Sequence, residues 1–170
     1  GFWKVFTFRF LHGKPFTQAD IDAKRREVVL PVSVARKLFA TDDVVGRRFN
    51  MDAQEYRVCG VVEDVSAATP SSVGDMWLPI TLNSWVTSDT TGKLVGSVGI
   101  YMTAPDAEDK EALKEEVREV FRKLNLASDK YMNDLMGQPD DYWASTFRFD
   151  SCSAPDLASE LRMYLYMLLA

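Results

Sequence analysis

The strongest constraint on the fold is an amphipathic helix pattern in the second half of the chain. Apolar side chains recur there at i, i+4, i+7, i+8 and i+11, which places them on one face of a helix. These positions are Leu113, Val117, Val120, Phe121 and Leu124. A face this broad needs an apolar surface to pack on, and a small sheet supplies one. We therefore expect a helix over Asp106–Asn125 that packs on a sheet.

Short strand patterns come before and after this helix. In chain order the sequence predicts strands at Phe2–Leu11 and Glu27–Leu30, a helix at Ser33–Ala40, a hairpin over Gly46–Val65, strands at Met76–Leu82 and Val98–Thr103, the long helix, and a last strand around Phe147–Phe149. Within the hairpin, Asp52–Gln54 is the predicted turn. The return strand places Tyr56, Val58 and Val62 on one face. It carries no charge from Val58 to Val62, which is typical of a central strand covered on both faces.

This order of elements predicts a mixed α+β domain with two lobes. Residues 27–82 form the strand-rich central lobe, which contains the hairpin. Residues 1–26 and 83–160 form a second, porter-like lobe around a strand–helix–strand unit. The apolar run at Met163–Ala170 is too short to cross a membrane, which takes about 20 residues. We interpret residues 161–170 as the truncated approach to a membrane helix.

Composition excludes nucleic acid as a partner. The net charge is −5, and Lys24–Arg26, the basic cluster, is followed directly by Glu27. The two cysteines, Cys59 and Cys152, are too few for a disulfide framework, although a single bridge between them stays open. Cys59 lies in a valine-rich run, which indicates a small buried apolar residue.

Neither the titratable residues nor the glycines predict catalysis or a cofactor. His12 is the single histidine, and no Gly-x-Ser-x-Gly motif accompanies it. One histidine and two distant cysteines do not make a zinc site. Adjacent carboxylates occur at Asp42–Asp43, Glu63–Asp64 and Asp140–Asp141, and surface carboxylates are the norm. The glycines at 96 and 99 lack the Lys-Ser/Thr pair of a phosphate-binding loop.

Three aromatic residues in polar segments are candidates for contact with a partner. Trp85 lies in the predicted loop 83–96, and Tyr142 and Trp143 lie in the predicted connection 127–145. Large aromatic side chains commonly anchor interfaces. The alternative is that these rings fold back onto their own lobe.

Five stretches, in order, resemble the MacB-like periplasmic core domain of FtsX-like ABC-transporter permeases. Gly13–Asp20 is similar to the family's GxPFTxxD motif, and Val28–Phe39 to its VVISESLARRLF stretch. Asp43–Phe49 is similar to DPVGKTL, Tyr56–Val65 to YRVVGVVKDV, and Trp77–Ile80 to VYVPL. The sequence departs from the family at Pro31, Val32 and Cys59. An earlier strand–helix portion of the family's domain is missing, so the first part of the porter-like lobe is expected to be incomplete.

The resemblance implies a non-catalytic domain that faces the periplasm and belongs to an inner-membrane permease. Its partners would be the membrane through the parent's helices, a cytoplasmic ATPase subunit, a periplasmic adaptor or lipoprotein, and a second permease copy in a dimer. The domain would couple the ATP cycle to movement of a substrate or adaptor, without a cofactor or metal. Two alternatives remain, a periplasmic sensor that binds a ligand and a secreted carboxylate-dependent hydrolase.

Overall fold

The computed structural model describes residues 1–67, 69, 71–84, 99–127 and 139–141, and these ranges have mixed α and β content. Helices α1, α2 and α3 span Phe2–Val5, Gln18–Asp22 and Val32–Phe39, and α4 spans Ala107–Ala127. Strands β1 to β4 span Phe10–Gly13, Glu27–Pro31, Arg48–Met51 and Gln54–Val62. The α+β prediction is thereby confirmed. The chain divides into two compact units, Gly1–Tyr101 and Met102–Ala170.

All pairing in the described sheet runs through β4. Strand β2 pairs with it in parallel, and β1 and β3 pair with it antiparallel at different heights along its length. Strand β1 comes from the segment 1–26, so this segment contributes to the same sheet as the hairpin. This pairing does not test the predicted division into lobes at 1–26, 27–82 and 83–160, which stays a prediction. The predicted central position of the uncharged strand agrees with the complete burial of Val58, Val61 and Val62.

A bulge in β4 decides which of its residues share a face. Val28 lies opposite Val58, whereas Val29 lies opposite Gly60, so Cys59 is an extra residue in β4. Beyond an extra residue, the alternation of a strand is inverted. Val58 and Val61 therefore belong to one core cluster, which Val62 does not join. The predicted common face of Tyr56, Val58 and Val62 is wrong at Val62 for this reason.

The core cluster fills the face of the sheet that α3 covers. Its members are apolar side chains from β2, α3, β4 and the loop between α3 and β3. They are Val28, Leu30, Val32, Ala35, Val44, Val58 and Val61. Helix α3 ends at Ala40, whose φ of 59° lies in the left-handed region. That conformation favours glycine, so the alanine is strained there.

The hairpin has a tighter turn than the sequence predicted. Met51 pairs with Gln54, so Asp52 and Ala53 alone make the turn. Their φ angles are 51° and 58°, as a two-residue turn of the mirror-image type requires. The sequence does not indicate this two-residue turn, because the Asn-Gly or Asp-Gly pair that usually forms it is absent and Ala53 takes the place of glycine.

The predicted strand at Phe2–Leu11 is wrong for residues 2–9. Residues Phe2–Val5 form a single helical turn, and the strand begins only at Phe10. The turn is closed by the Phe6 amide, which donates to the Phe2 carbonyl oxygen at 3.0 Å. A helical turn brings the rings of Phe2 and Phe6 to the same side, with centroids 4.9 Å apart. Aromatic packing therefore overrides the alternating pattern.

Two further predicted strands are also absent from the described residues. In Met76–Leu82 only Trp77 pairs with the sheet, through a two-way backbone bridge to Val29, and Ile80–Leu82 form a 3₁₀ turn. Pro79 lacks the amide that a longer ladder needs. Residues 99–103 form no strand.

The long helix is confirmed as α4, which begins one residue later and ends two residues later than predicted. Glu108 and Asp109 lie in its first turn, where the helix dipole favours anions. Glu–Lys and Glu–Arg pairs three residues apart follow along its polar face. The packing of its apolar face on a sheet stays a prediction.

Candidate functional site

Eight aromatic rings cover the second face of the sheet, opposite α3. We call this cluster the aromatic layer. Its members are Phe2, Trp3, Phe6, Phe8, Phe10, Phe16, Trp77 and Tyr101. Neighbouring ring centroids lie 4.9–6.1 Å apart, mostly edge to face, which is the favoured geometry for aromatic pairs. Under this layer, Val29 and Val62 are fully buried.

The aromatic layer reaches the sheet because β4 carries a glycine at one point. A Cβ atom on Gly60 would lie 2.7 Å from Phe10 Cε1 and 2.8 Å from the Lys14 carbonyl oxygen. Both distances are far inside van der Waals contact. Gly60 is therefore required for the ring of Phe10 to lie directly over the central strand.

A groove opens between the edge of the aromatic layer and the end of β4. Its volume is about 250 Å³. We call it the groove, and it is lined by Phe6, Thr7, Phe8, Arg9, Glu63, Asp64, Val65 and Ser72. All eight residues belong to the first compact unit. The two phenylalanines supply its apolar surface, and Arg9, Glu63 and Asp64 supply its charged groups.

The charged groups of the groove have defined partners. Arg9 Nη1 lies 2.7 Å from Glu63 Oε1. Asp64 Oδ1 accepts a hydrogen bond from the Ser33 amide at 3.0 Å and so satisfies one of the free amides at the start of α3. The Ser72 side chain is 9% exposed, and its hydroxyl donates to the Thr69 carbonyl oxygen at 3.3 Å. The adjacent carboxylates Glu63–Asp64 thus serve an ion pair and a helix start.

The single histidine lies in an ion-pair cluster at the surface. His12 Nε2 is 3.8 Å from Asp42 Oδ1, and Arg36 Nη2 is 2.5 Å from Asp42 Oδ2. The hydrogen bond from Arg36 holds the pKa of Asp42 below its usual value. Asp43, the neighbour of Asp42, is exposed. This arrangement links β1 to the loop after α3.

The remaining acidic pair lies in the second compact unit. Asp141 Oδ2 is 3.9 Å from Lys110 Nζ of α4. Among the described residues, no three histidine, cysteine, aspartate or glutamate side chains converge as metal ligands would.

Cys59 occupies the bulge of β4 and carries a free thiol. Its Sγ donates to the Val28 carbonyl oxygen at 3.3 Å, which ties the bulge to β2. Burial raises the pKa of this thiol to about 12. The thiol is therefore protonated at neutral pH and is a poor nucleophile.

The three predicted contact residues, Trp85, Tyr142 and Trp143, lie outside the described residues, as do Cys152 and the C-terminal segment 161–170. The aromatic layer and the groove were not predicted as sites. A signal for the layer was present, because six of the first sixteen residues are Phe or Trp. The groove had no signal, because its two sides are more than fifty residues apart in sequence.

Comparison with known proteins decides the family. The sequence model of the MacB-like periplasmic core domain matches residues 1–120. This chain belongs to that family. It is thus a domain of a MacB-like ABC-transporter permease of the inner membrane, on the side that faces the periplasm. The resemblance that the sequence indicates, over residues 2–82, is thereby confirmed.

One solved structure supports the same fold, and a second bears a likeness to this chain. The extracellular domain of the noncanonic ABC-type transporter YknZ from Gram-positive bacteria has a TM-score of 0.50 and 22% identity, over 75% of this chain and 60% of that one. The periplasmic region of MacB from Actinobacillus actinomycetemcomitans has a TM-score of 0.49 and 22% identity, over 70% of this chain and 52% of that one. The chain thus spans about half to three fifths of these relatives.

No curated protein sequence matches this MacB-like domain. Within the described ranges, no helix combines the length and the apolar character needed to cross a membrane.

Proposed function

We propose that this MacB-like domain is the non-catalytic, force-transmitting part of its permease. It would couple the ATP cycle of a separate cytoplasmic ATPase to movement of a substrate or of an adaptor protein outside the membrane. The observation that supports this proposal is the family match over residues 1–120, since the family is that of a transporter's periplasmic domain.

The geometry of the described acidic groups supports a non-catalytic role. A carboxylate acid or base must be able to reach a substrate proton. Asp42 is instead held in an ion pair with an arginine, and the described lining of the groove, to which Glu63 and Asp64 belong, contains no histidine or cysteine to act beside them. The thiol of Cys59 bonds to a backbone carbonyl oxygen within the sheet. These uses favour transmission of force over the alternative of a carboxylate-dependent hydrolase.

The architecture also suits force transmission. A central strand that pairs with three others and is packed on both faces moves as one body, because packed cores deform little. In the parent protein two copies would form a dimer, since membrane helices hold them at high effective concentration. We propose that the adaptor or lipoprotein contacts the domain through Trp85, Tyr142 and Trp143.

The full permease with its ATPase, reconstituted in lipid nanodiscs, tests this proposal. The Trp85→Ala and Trp143→Ala variants should lose adaptor capture and adaptor-stimulated ATP hydrolysis, while basal hydrolysis stays the same. Tyr142→Phe is the control, because it changes the neighbour of Trp143 and keeps an aromatic ring there. Unchanged capture and stimulation in folded variants would show that these rings contact only their own domain.

A separate measurement tests the non-catalytic part. Calorimetric titration of the 170-residue chain with ATP and Mg²⁺ should show no saturable heat. Micromolar binding of ATP would contradict the non-catalytic part of the proposal. It would not test the adaptor contacts.

A further inference from the structure

We propose that the groove is a binding site for a primary ammonium group carried on a short apolar stem, as in an alkylamine or a lysine side chain. This site is independent of the adaptor contacts proposed above, because it uses none of their residues. The argument rests on the charge of the groove, its acceptor atoms and its apolar wall.

The charge of the groove favours a cation. Glu63 and Asp64 contribute two carboxylates, and Arg9 contributes the one guanidinium among the lining residues. Arg9 pairs with Glu63 and its side chain is 75% exposed, so the lining as a whole carries one net negative charge. An anionic ligand would meet two like charges there, which disfavours its binding.

Three lining residues have acceptor atoms, as many as an ammonium group has donors. Asp64 uses Oδ1 to accept the Ser33 amide, and no described residue hydrogen-bonds to its Oδ2. Ser72 uses its hydroxyl proton in the bond to Thr69, so its oxygen lone pairs remain able to accept. Ser72 is the only buried polar side chain among the described residues. Glu63 supplies the third acceptor, since a carboxylate binds more than one donor.

The phenylalanine part of the lining suits an apolar stem, and it is preorganised. The ring of Phe8 is held by Phe2, Trp3 and Trp77, with centroids 5.6, 5.2 and 5.0 Å away. Phe6 is held by Phe2 and Tyr101. A wall that is already packed loses little conformational entropy when a ligand binds, which favours affinity.

The volume of the groove limits the size of its ligand. About 250 Å³ is less than the roughly 300–1,000 Å³ of pockets for drug-sized molecules. It equals the liquid volume of about eight water molecules, at about 30 Å³ each. A single side chain or a short alkylamine fits this space, whereas a nucleotide or a folded peptide does not.

Nuclear magnetic resonance titration of the ¹⁵N-labelled 170-residue chain tests the site. The probes are pentylamine, pentan-1-ol and pentanoate, which share the stem and differ in the head group. We expect saturable shifts of the amides of residues 6–9, 63–65 and 72 with pentylamine only, and weaker binding at high salt. Equal shifts with pentan-1-ol would overturn the proposal, because the carboxylates would then play no part.

Two variants change the affinity in opposite directions. Asp64→Asn should weaken pentylamine binding by roughly fivefold to tenfold, since a hydrogen bond to a charged group is lost, yet the amide oxygen of asparagine can still hold the start of α3. Arg9→Gln should tighten binding, because it removes the competing cation. Asp43→Asn is the control, since it removes one exposed charge away from the groove. Wild-type affinity in both Asp64→Asn and Arg9→Gln would overturn the proposal.

A further titration distinguishes the sources of the ammonium group. Nα-acetyl-lysine amide should bind at least as tightly as pentylamine if the natural ligand is a lysine side chain of a polypeptide. Binding of pentylamine alone would identify a free amine. Both results support an ammonium site, and binding of neither compound would overturn it.

Discussion

Substitution of Gly60 by alanine tests how closely the aromatic layer approaches the central strand. The added Cβ would lie 2.7 Å from Phe10 Cε1 and 2.8 Å from the carbonyl oxygen of Lys14. Carbon atoms pack best at about 3.5–4.0 Å, so the ring must move by roughly 1 Å. The carbonyl oxygen belongs to the backbone just after β1, which is held by the bond from the Lys14 amide to the Cys59 carbonyl oxygen. Both neighbours therefore resist the shift.

The expected cost follows from two opposing effects. Overpacking of a core contact typically costs about 1–3 kcal/mol. Alanine also lowers the conformational entropy of the unfolded chain relative to glycine, which stabilises the folded state by about 0.4–1 kcal/mol. We expect Gly60→Ala to lower the free energy of unfolding by about 1–2 kcal/mol, and Tm by about 2–4 °C for each kcal/mol at this chain length.

Gly74→Ala is the matched control. A Cβ there would meet its nearest atom, the Met76 carbonyl oxygen, at an ordinary 3.6 Å. It should therefore leave stability unchanged or raise it by up to about 1 kcal/mol. Urea unfolding followed by tryptophan fluorescence measures both variants, since Trp3 and Trp77 lie in the aromatic layer. Equal stability of the two variants would refute the reasoning.

Three further predictions concern backbone strain, acid stability and thiol reactivity. Ala40→Gly and Ala53→Gly should each raise the free energy of unfolding by about 1 kcal/mol in urea titrations, because both alanines have left-handed φ angles; a loss would contradict the strain. A hydrogen bond from Thr17, the N-cap residue of α2, lowers the pKa of Asp20 in the folded chain. The ionised Asp20 therefore stabilises the fold fully above pH 3.8, its usual pKa, and this stabilisation is lost as the pH falls through the lower pKa of the folded state. The free energy of unfolding should therefore change less between pH 5 and pH 2 in Asp20→Asn than in the wild type. An equal change in both proteins would contradict the stabilising role of ionised Asp20. With Cys152→Ser as background, iodoacetamide at pH 8 should alkylate Cys59 about a thousandfold more slowly in the folded than in the unfolded chain, because its pKa is about 12; similar rates would exclude that pKa.

The sequence predicted those elements whose pattern is local and long. Helix α4 repeats its apolar spacing over several turns, so its limits were within two residues. The uncharged run of β4 correctly indicated a central strand. The start of α3 was also close, at Val32 against the predicted Ser33.

The errors arose where distant residues decide the local structure. The bulge at Cys59 depends on pairing with β2, which lies thirty residues earlier. The helical turn at Phe2 depends on rings that include Trp77 and Tyr101. The groove is lined by residues 6–9 together with residues between 63 and 72, so no local pattern in the sequence predicts it.

The order of the strands along the chain constrains how this domain folds during its synthesis. Strands β1, β2 and β3 all precede β4, and β4 is the one strand of the described sheet with which each of them pairs; the further bridge from β2 goes to Trp77, which follows β4. A chain that emerges from the ribosome or a translocation channel in N-to-C order therefore cannot close any of these ladders until residues 54–62 are out. Before that moment three strands with open edges are exposed together, and open edges are sites of aggregation. Slowing elongation just before Gln54 should consequently lower the yield of folded protein more than the same pause placed after Val62.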